Sequence, residues 1–511
     1  MKRLILSLVI LTLGSISAFG QFNLSITTQP YLNGGLFTNP VIGKVSTPVT
    51  VTVRAQISGQ APAAIKASLR IADARGVSVA AQELVLKTNA TSAEAAWKWT
   101  PKSDGLYEIR AQIDSGLLLK EDDETDNEAS ITFPVTVANR PMHFVWYHES
   151  PNTRWATCIT SVGSEESIVR LGERGVAGLN WEYAGMSWSY YDKENAKNNP
   201  ADELTKLEQL FYDKLTRPGV SVGFGLDECG GYPGTWPAQA SIASMRALVR
   251  AREVQPDRIF AVWNGGGISP ELAAQIRLGA DFLLLETYLW RATPDELGAD
   301  DIYQVITDRI DPTIRSMDMF QPAYGNRCYT LLALDTSERP DRCDLGEQEN
   351  VVRFIRQHFP EMRGIAWYNS GYGPESYGLK RTKETDRQHE AVLANADRLC
   401  LEYFIKPCLT FLPQALFLTK TDKGYDLVAA VSNIGGMNSG PVTVEFLVDG
   451  AAVGTAKTGQ VPAGNGRNQD RAILRYPIAL SPGPHTIAAR IVDSIASTVV
   501  EPYIEANRFL H

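Results

Sequence analysis

Three apolar stretches of this chain carry carboxylates at their ends. Val220-Ser-Val-Gly-Phe-Gly-Leu-Asp-Glu228 stops on Asp227 and Glu228. Ala280-Asp-Phe-Leu-Leu-Leu-Glu-Thr-Tyr288 brings up Glu286, and Asn180-Trp-Glu-Tyr183 brings up Glu182. Carboxylates are seldom placed on buried elements without a partner or a task. Two such groups, one protonated and one ionised, are what cleavage of a glycosidic bond requires: one donates a proton to the leaving oxygen, the other acts as nucleophile or activates water. Asp227 or Glu228 paired with Glu286 is the preferred combination. The competing reading is structural pairing of these acids with Arg154, Arg291 or Arg327, and it weighs most on Glu182.

Aromatic residues gather in the same places. Trp146, Trp181, Trp263, Trp290 and Trp367, with Tyr147, Tyr288, Tyr324 and Tyr368, fall at or just beyond the ends of apolar runs. A pyranose has apolar C–H faces and a polar rim, so flat rings flanked by hydrogen-bonding groups suit it. The expected substrate-contacting set is therefore Trp146, His148, Trp181, Glu182, Trp263, Asn264, Tyr288, Trp290, Tyr324, Trp367 and Asn369, with Trp263, Trp290 and Trp367 lining the subsites. The plainer alternative is that the large rings plug the top of a barrel and the amides cap loops.

The elements needed to hold these residues together can be read from periodicity. Between 141 and 412, short apolar runs (143–147, 176–181, 220–226, 258–263, 281–286, 320–324 and 364–368) alternate with helical patterns (165–174, 202–215, 239–254, 270–278, 301–317, 347–358 and 384–401). Strand–helix alternation at this length predicts a parallel (β/α)8-type TIM barrel with the chemistry on the loops at the carboxyl ends of the strands. Seven strands are legible and the eighth is not. An open doubly wound sheet is the alternative, although no Gly-rich phosphate turn accompanies it. The segment Gly223-Phe-Gly-Leu-Asp-Glu228 resembles the strand-end acidic motif of barrel glycoside hydrolases, at superfamily level and over six residues only.

The flanks read differently. Residues 21–138 and 414–511 show period-two alternation separated by turns, which predicts antiparallel β-sandwiches of the immunoglobulin-like kind. Val431-Ser-Asn-Ile-Gly-Gly-Met-Asn-Ser-Gly-Pro-Val442, then Phe446-Leu-Val-Asp-Gly450, and the ending Val492-Asp493, Glu501, Glu505 and Asn507 resemble the CARDB family, a bacterial cell-adhesion-related β-sandwich. Ile113-Asp114, Glu121, Glu124 and Asn127 close the first block in a similar way, and the likeness covers mainly the tail of that block and most of the C-terminal one. The resemblance implies modules that position or tether a catalytic domain, and no chemistry of their own.

Lys2 and Arg3 before the apolar run 4–13, followed by Ala18 and Gly20, form the pattern of a signal peptide over residues 1–20. Export to a secreted, periplasmic or cell-surface location is the expectation, with no membrane-spanning segment. A net charge of -9 argues against a nucleic-acid partner. The six cysteines are expected to pair as Cys328–Cys343, Cys400–Cys408 and Cys158–Cys229, with buried free thiols as the alternative. No serine-hydrolase elbow, zinc-protease motif or phosphate loop occurs, and no cofactor or catalytic metal is expected. A carboxylate-bound calcium near Asp122, Asp123 and Asp126 has a weak signal. The expected partner is a polysaccharide or oligosaccharide. A hydrolase cleaving it is the leading expectation, and a non-catalytic carbohydrate-binding or adhesion protein on the same barrel is the alternative.

Overall fold

The computed structural model describes residues 22–27, 35–60, 62, 64–116, 118–138, 141–183, 192–219, 222–231, 234–290, 300–310, 328–336, 342–360, 362–369, 380–464, 471–494, 497–500 and 506–508. The segment expected to be a signal peptide, the strand expected over 320–324 and Tyr324 lie outside these described residues. Among the described residues no helix is long and apolar enough to cross a membrane. The chain divides into two compact units. One takes its described residues from Met1–Phe37, Val51–Trp97 and Glu108–Ile131, the other from Thr38–Thr50, Lys98–Tyr107 and Thr132–His511.

The first unit is antiparallel β-structure. Strand Ile65–Asp73 buries every second residue (Ile65, Ala67, Leu69, Ile71) and pairs with Ser78–Thr88 through a tight turn. Asp73 holds that turn by accepting from the backbone N–H groups of Arg75 and Val77, and Gly76 takes the left-handed conformation it needs (φ 78°).

In the second unit, nine parallel strands follow the order Ala177–Gly178, Cys158–Ile159, His143–Trp146, Gly364–Tyr368, Tyr329–Asp335, Phe282–Thr287, Ile259–Asn264, Gly223–Cys229, Asn180–Tyr183. The first and last of these are consecutive pieces of one segment interrupted at Leu179, so the sheet curls back on itself into a nearly closed parallel barrel. Helices Glu165–Glu173, Pro200–Thr216, Trp236–Val254, Pro270–Gly279, Leu345–His358 and Lys383–Cys400 alternate with the strands. Their boundaries are set by ordinary capping chemistry. Ser269 caps a helix opening on Pro270, Asp344 caps the next, and Thr382 with Thr385 forms a reciprocal box.

Strand parity sorts the side chains into those filling the barrel and those facing the helices. His143, Phe282 and Tyr329 meet inside at the amino ends of their strands, with ring centroids 5.0 and 4.7 Å from that of His143. One layer up, Trp263 crosses the interior and donates Nε1–H to Thr160 Oγ1 at 2.8 Å. Gly225 leaves room there, since a Cβ on it would lie 2.3 Å from the Thr160 carbonyl oxygen.

The chain then forms two four-stranded sheets over a common core that includes Leu409, Phe411, Val431, Val444, Phe446 and Leu474. Arg356 and Arg363, buried on the barrel side, donate to the Ile434 carbonyl, and Arg356 lies 4.5 Å over the ring of Phe404. Backbone carbonyl oxygens accept from both of these buried cations.

All six cysteines are buried thiols, which corrects the expected disulfides. Each thiol is packed into its own surroundings. Cys400 accepts from the Trp367 indole N–H at 3.4 Å, and burial pushes the Cys229 thiol up to about 12. They serve as small apolar side chains in the interior, on barrel strands (Cys158, Cys229), on a helix (Cys400) and in the C-terminal sheets (Cys408).

Candidate functional site

The carboxyl ends of the barrel strands bring one group of expected residues together. Tyr147, immediately after strand His143–Trp146, donates its hydroxyl to Asp227 Oδ2 at 2.7 Å. Trp181 Nε1–H donates to the same oxygen at 3.1 Å, and the Glu228 backbone N–H donates to Oδ1 at 2.9 Å. Asp227 is 7% exposed, and burial raises its carboxyl above the usual range against the pull of these donors. The strand shifts register against its neighbour between Leu226 and Cys229, and Glu228 sits at φ 53°. This bulge turns two successive acids in different directions, Asp227 inward and Glu228 to a half-buried position.

Glu286 enters from strand Phe282–Thr287, half-buried. Its carboxylate packs against Gly265, where a Cβ would lie 3.1 Å from Oε2, a tight contact. Tyr288 hydrogen-bonds Glu286. Burial first, then the charge and hydrogen bond of Glu286 and the charges of its neighbours, Asp227 among them, push the Tyr288 phenol up. Tyr288 therefore senses both carboxylates. The ring of Tyr368 bridges the two sides, with centroids 5.0 Å from Tyr288 and 4.7 Å from Tyr147. Asp227, Glu286, Tyr147, Tyr288, Tyr368 and Trp181 form one cluster.

A cavity of about 480 Å³ is lined in part by His148, Ser161, Asn369 and His389 and by none of the six cluster residues; the His148 ring, 4.6 Å from that of Tyr147, stands between the two. Asn369 accepts from the His148 backbone N–H at 2.8 Å and donates to the His148 carbonyl at 2.9 Å, so its amide positions His148. His148 Nδ1 lies 3.3 Å from the Ser161 carbonyl, and burial lowers the imidazole pKa. A donated Nδ1–H leaves Nε2 as an acceptor, the form that receives a hydroxyl proton. Ser161 and His389 are absent from the expected set. Ser161 follows a two-residue strand with no periodicity, and His389 lies on a helix whose pattern shows only its apolar face.

The other expected residues take different roles. Trp146 and Trp367 stand in register on adjacent strands and are fully buried, with Trp367 turned outward to Cys400 on helix Lys383–Cys400. Trp263 is fully buried beneath Tyr147, centroids 5.3 Å apart, as the floor of the site. Trp290 is 3% exposed and donates to Glu347 Oε2 at 2.9 Å. Protein covers the faces of these four rings, so none of them presents a stacking surface. Trp181 and Tyr288 keep partial exposure. Glu182 faces out of the barrel and pairs with Lys214 at 2.7 Å and Arg217 at 3.0 Å, a structural pairing with cations other than the Arg154, Arg291 and Arg327 weighed in the sequence. Asn264 donates to the Cys229 carbonyl at 2.6 Å and ties two glycine-rich loops together.

No known family profile matches the chain, and no curated protein matches it. Among solved structures, it is similar to the CARDB domain of the PF1109 protein from Pyrococcus furiosus in complex with di-metal ions. The identity is 19% over 23% of this chain and 90% of that one, with a TM-score of 0.18. It is also similar to the β-glucuronidase of Parabacteroides merdae, at 10% identity and a TM-score of 0.30. That match covers 95% of this chain, which spans 64% of the glucuronidase chain. A Paenibacillus cycloisomaltooligosaccharide glucanotransferase gives 13% identity and a TM-score of 0.32, over 90% of this chain and 70% of that one. All three TM-scores are below 0.5, so function has to be read from the residues of the site.

Proposed function

We propose that this chain is an exported carbohydrate-active hydrolase, a (β/α)8 barrel of the TIM type with immunoglobulin-like flanking modules, and that Asp227 and Glu286 cleave a glycosidic bond. The observation that carries this reading is the convergence of two carboxylates on Tyr288 at the carboxyl ends of barrel strands, where this architecture holds its chemistry. Burial keeps Asp227 protonated to higher pH and suits it to donate to the leaving oxygen. Glu286, hydrogen-bonded by the Tyr288 hydroxyl, is the ionised partner that attacks or activates water. Trp181 and Tyr288 offer ring surface, and His148 reads a hydroxyl. Incubating the purified protein with a panel of plant, algal and bacterial polysaccharides and aryl glycosides, and assaying new reducing ends, tests the reading. Release from at least one member supports it.

A non-catalytic carbohydrate-binding role has one observation in its favour: three protein donors occupy the Asp227 carboxyl, as they would a structural acid. Glycan binding without turnover over the same panel would favour that role.

A further inference from the structure

We infer that the cavity beside His148 binds an uncharged sugar unit, with His148 and His389 as its hydrogen-bonding walls. Its volume of about 480 Å³ lies within the span of small-molecule sites, roughly 300–1,000 Å³. Three barrel strands supply one side of it. His148 follows His143–Trp146, Ser161 follows Cys158–Ile159 and Asn369 follows Gly364–Tyr368, all at the carboxyl ends where a barrel holds its chemistry. His389 and Leu393, one turn apart on helix Lys383–Cys400, supply the other side. The His148 ring joins the cavity to the carboxylate cluster, since it lies 4.6 Å from the ring of Tyr147, whose hydroxyl donates to Asp227. A place next to the bond that is cleaved rests on the hydrolase reading; the class of ligand does not.

The chemistry of the lining selects that class. Pro151, Val162 and Leu393 are apolar, while the serines and the two imidazoles bring hydrogen-bonding groups. A pyranose, with apolar C–H faces and a hydroxyl rim, matches this mixture. Glu149 is the charged group among the described lining residues, and Arg170 engages both of its oxygens, at 2.9 and 2.7 Å. Arg381, whose charge His389 senses, is outside the lining and pairs with Asp386 at 3.0 Å. A uronate or sulfate group would therefore meet a carboxylate and no lining cation. The two imidazoles keep nitrogens for a ligand. His148 Nδ1 faces the Ser161 carbonyl at 3.3 Å, which leaves Nε2. The His389 ring is half-buried, and among the described residues neither of its nitrogens has a hydrogen-bond partner. Burial lowers both pKa values, so near neutral pH each ring combines an N–H donor with a lone-pair acceptor, the two functions a sugar hydroxyl uses.

Saturation-transfer NMR and calorimetric titration of the full-length protein test the site. The probes are methyl glycosides of glucose, galactose, mannose and xylose, set against methyl glucuronoside and methyl galacturonoside. At least one neutral glycoside should bind, and the uronosides should bind at least about tenfold more weakly. His389→Ala, a change that a half-buried helix position tolerates, should weaken neutral-glycoside binding about tenfold. His389→Gln, which keeps a donor and an acceptor, should retain most of the affinity. Preference for a uronoside, no binding of any neutral glycoside, or equal affinity in wild type and folded His389→Ala overturns the site. The comparison of glycosides on the wild-type protein holds whether or not a variant folds. Neutral-glycoside binding without cleavage of any polysaccharide removes the hydrolase reading and leaves the ligand class standing, whereas cleavage without such binding removes the cavity site alone.

Discussion

Tyr147 donates its hydroxyl to Asp227 at 2.7 Å, joining the first barrel strand to a strand end 80 residues later. That bond favours the ionised carboxylate, while burial favours the protonated form and prevails. If Asp227 is the proton donor, turnover falls as pH rises through its pKa. Tyr147→Phe removes one stabiliser of the anion, so the alkaline limb of the kcat/KM profile should move upward by about one pH unit. An unmoved limb would assign it to another group.

Glu182→Gln should separate structure from chemistry. The side chain is 7% exposed and bridges Lys214 and Arg217, which are themselves partly solvated. We expect a loss of about 1–2 kcal/mol in unfolding free energy, read in a denaturant titration, with kcat unchanged.

His143 lies between Phe282 and Tyr329, its Nε2 buried without a partner, and burial lowers its pKa from 6.5 to about 4. The folded state thus holds the neutral ring, and below pH 6.5 the unfolded chain binds the proton first. Stability contributed by this group is complete above pH 6.5 and is lost as pH falls towards about 4. His143→Phe should remove about 2 kcal/mol of that acid dependence, allowing for the ring's residual exposure, as measured by Tm across this pH range.

The six thiols should stay silent to a thiol reagent in the native protein and react together on unfolding, and reductant should leave Tm unchanged. Non-reducing mass mapping that found a linked pair would contradict this arrangement.

Much of the fold is legible from periodicity alone. The strands bearing Glu286 and Asp227 and the six long helices lie within a few residues of where apolar spacing puts them. The strand Cys158–Ile159 is not legible, since two residues carry no period. Tyr329–Asp335 also escapes the reading, because an apolar segment some ten residues earlier competes for its place. The tryptophans show the deeper limit. Proximity to a strand end says nothing about which face a residue takes, and a step of one residue separates Trp367 under the helices from Tyr368 in the site. Glu182 and Trp181 differ in the same way.

We propose Asp227 and Glu286 as the reacting pair. The most direct test compares initial rates of Asp227→Asn and Glu286→Gln with wild type on whichever glycan the wild-type protein cleaves, with folding checked by circular dichroism and Tm. Each variant should lose about 10³-fold or more in kcat while remaining folded. Turnover near the wild-type rate in both folded variants would contradict the assignment and leave the two acids structural.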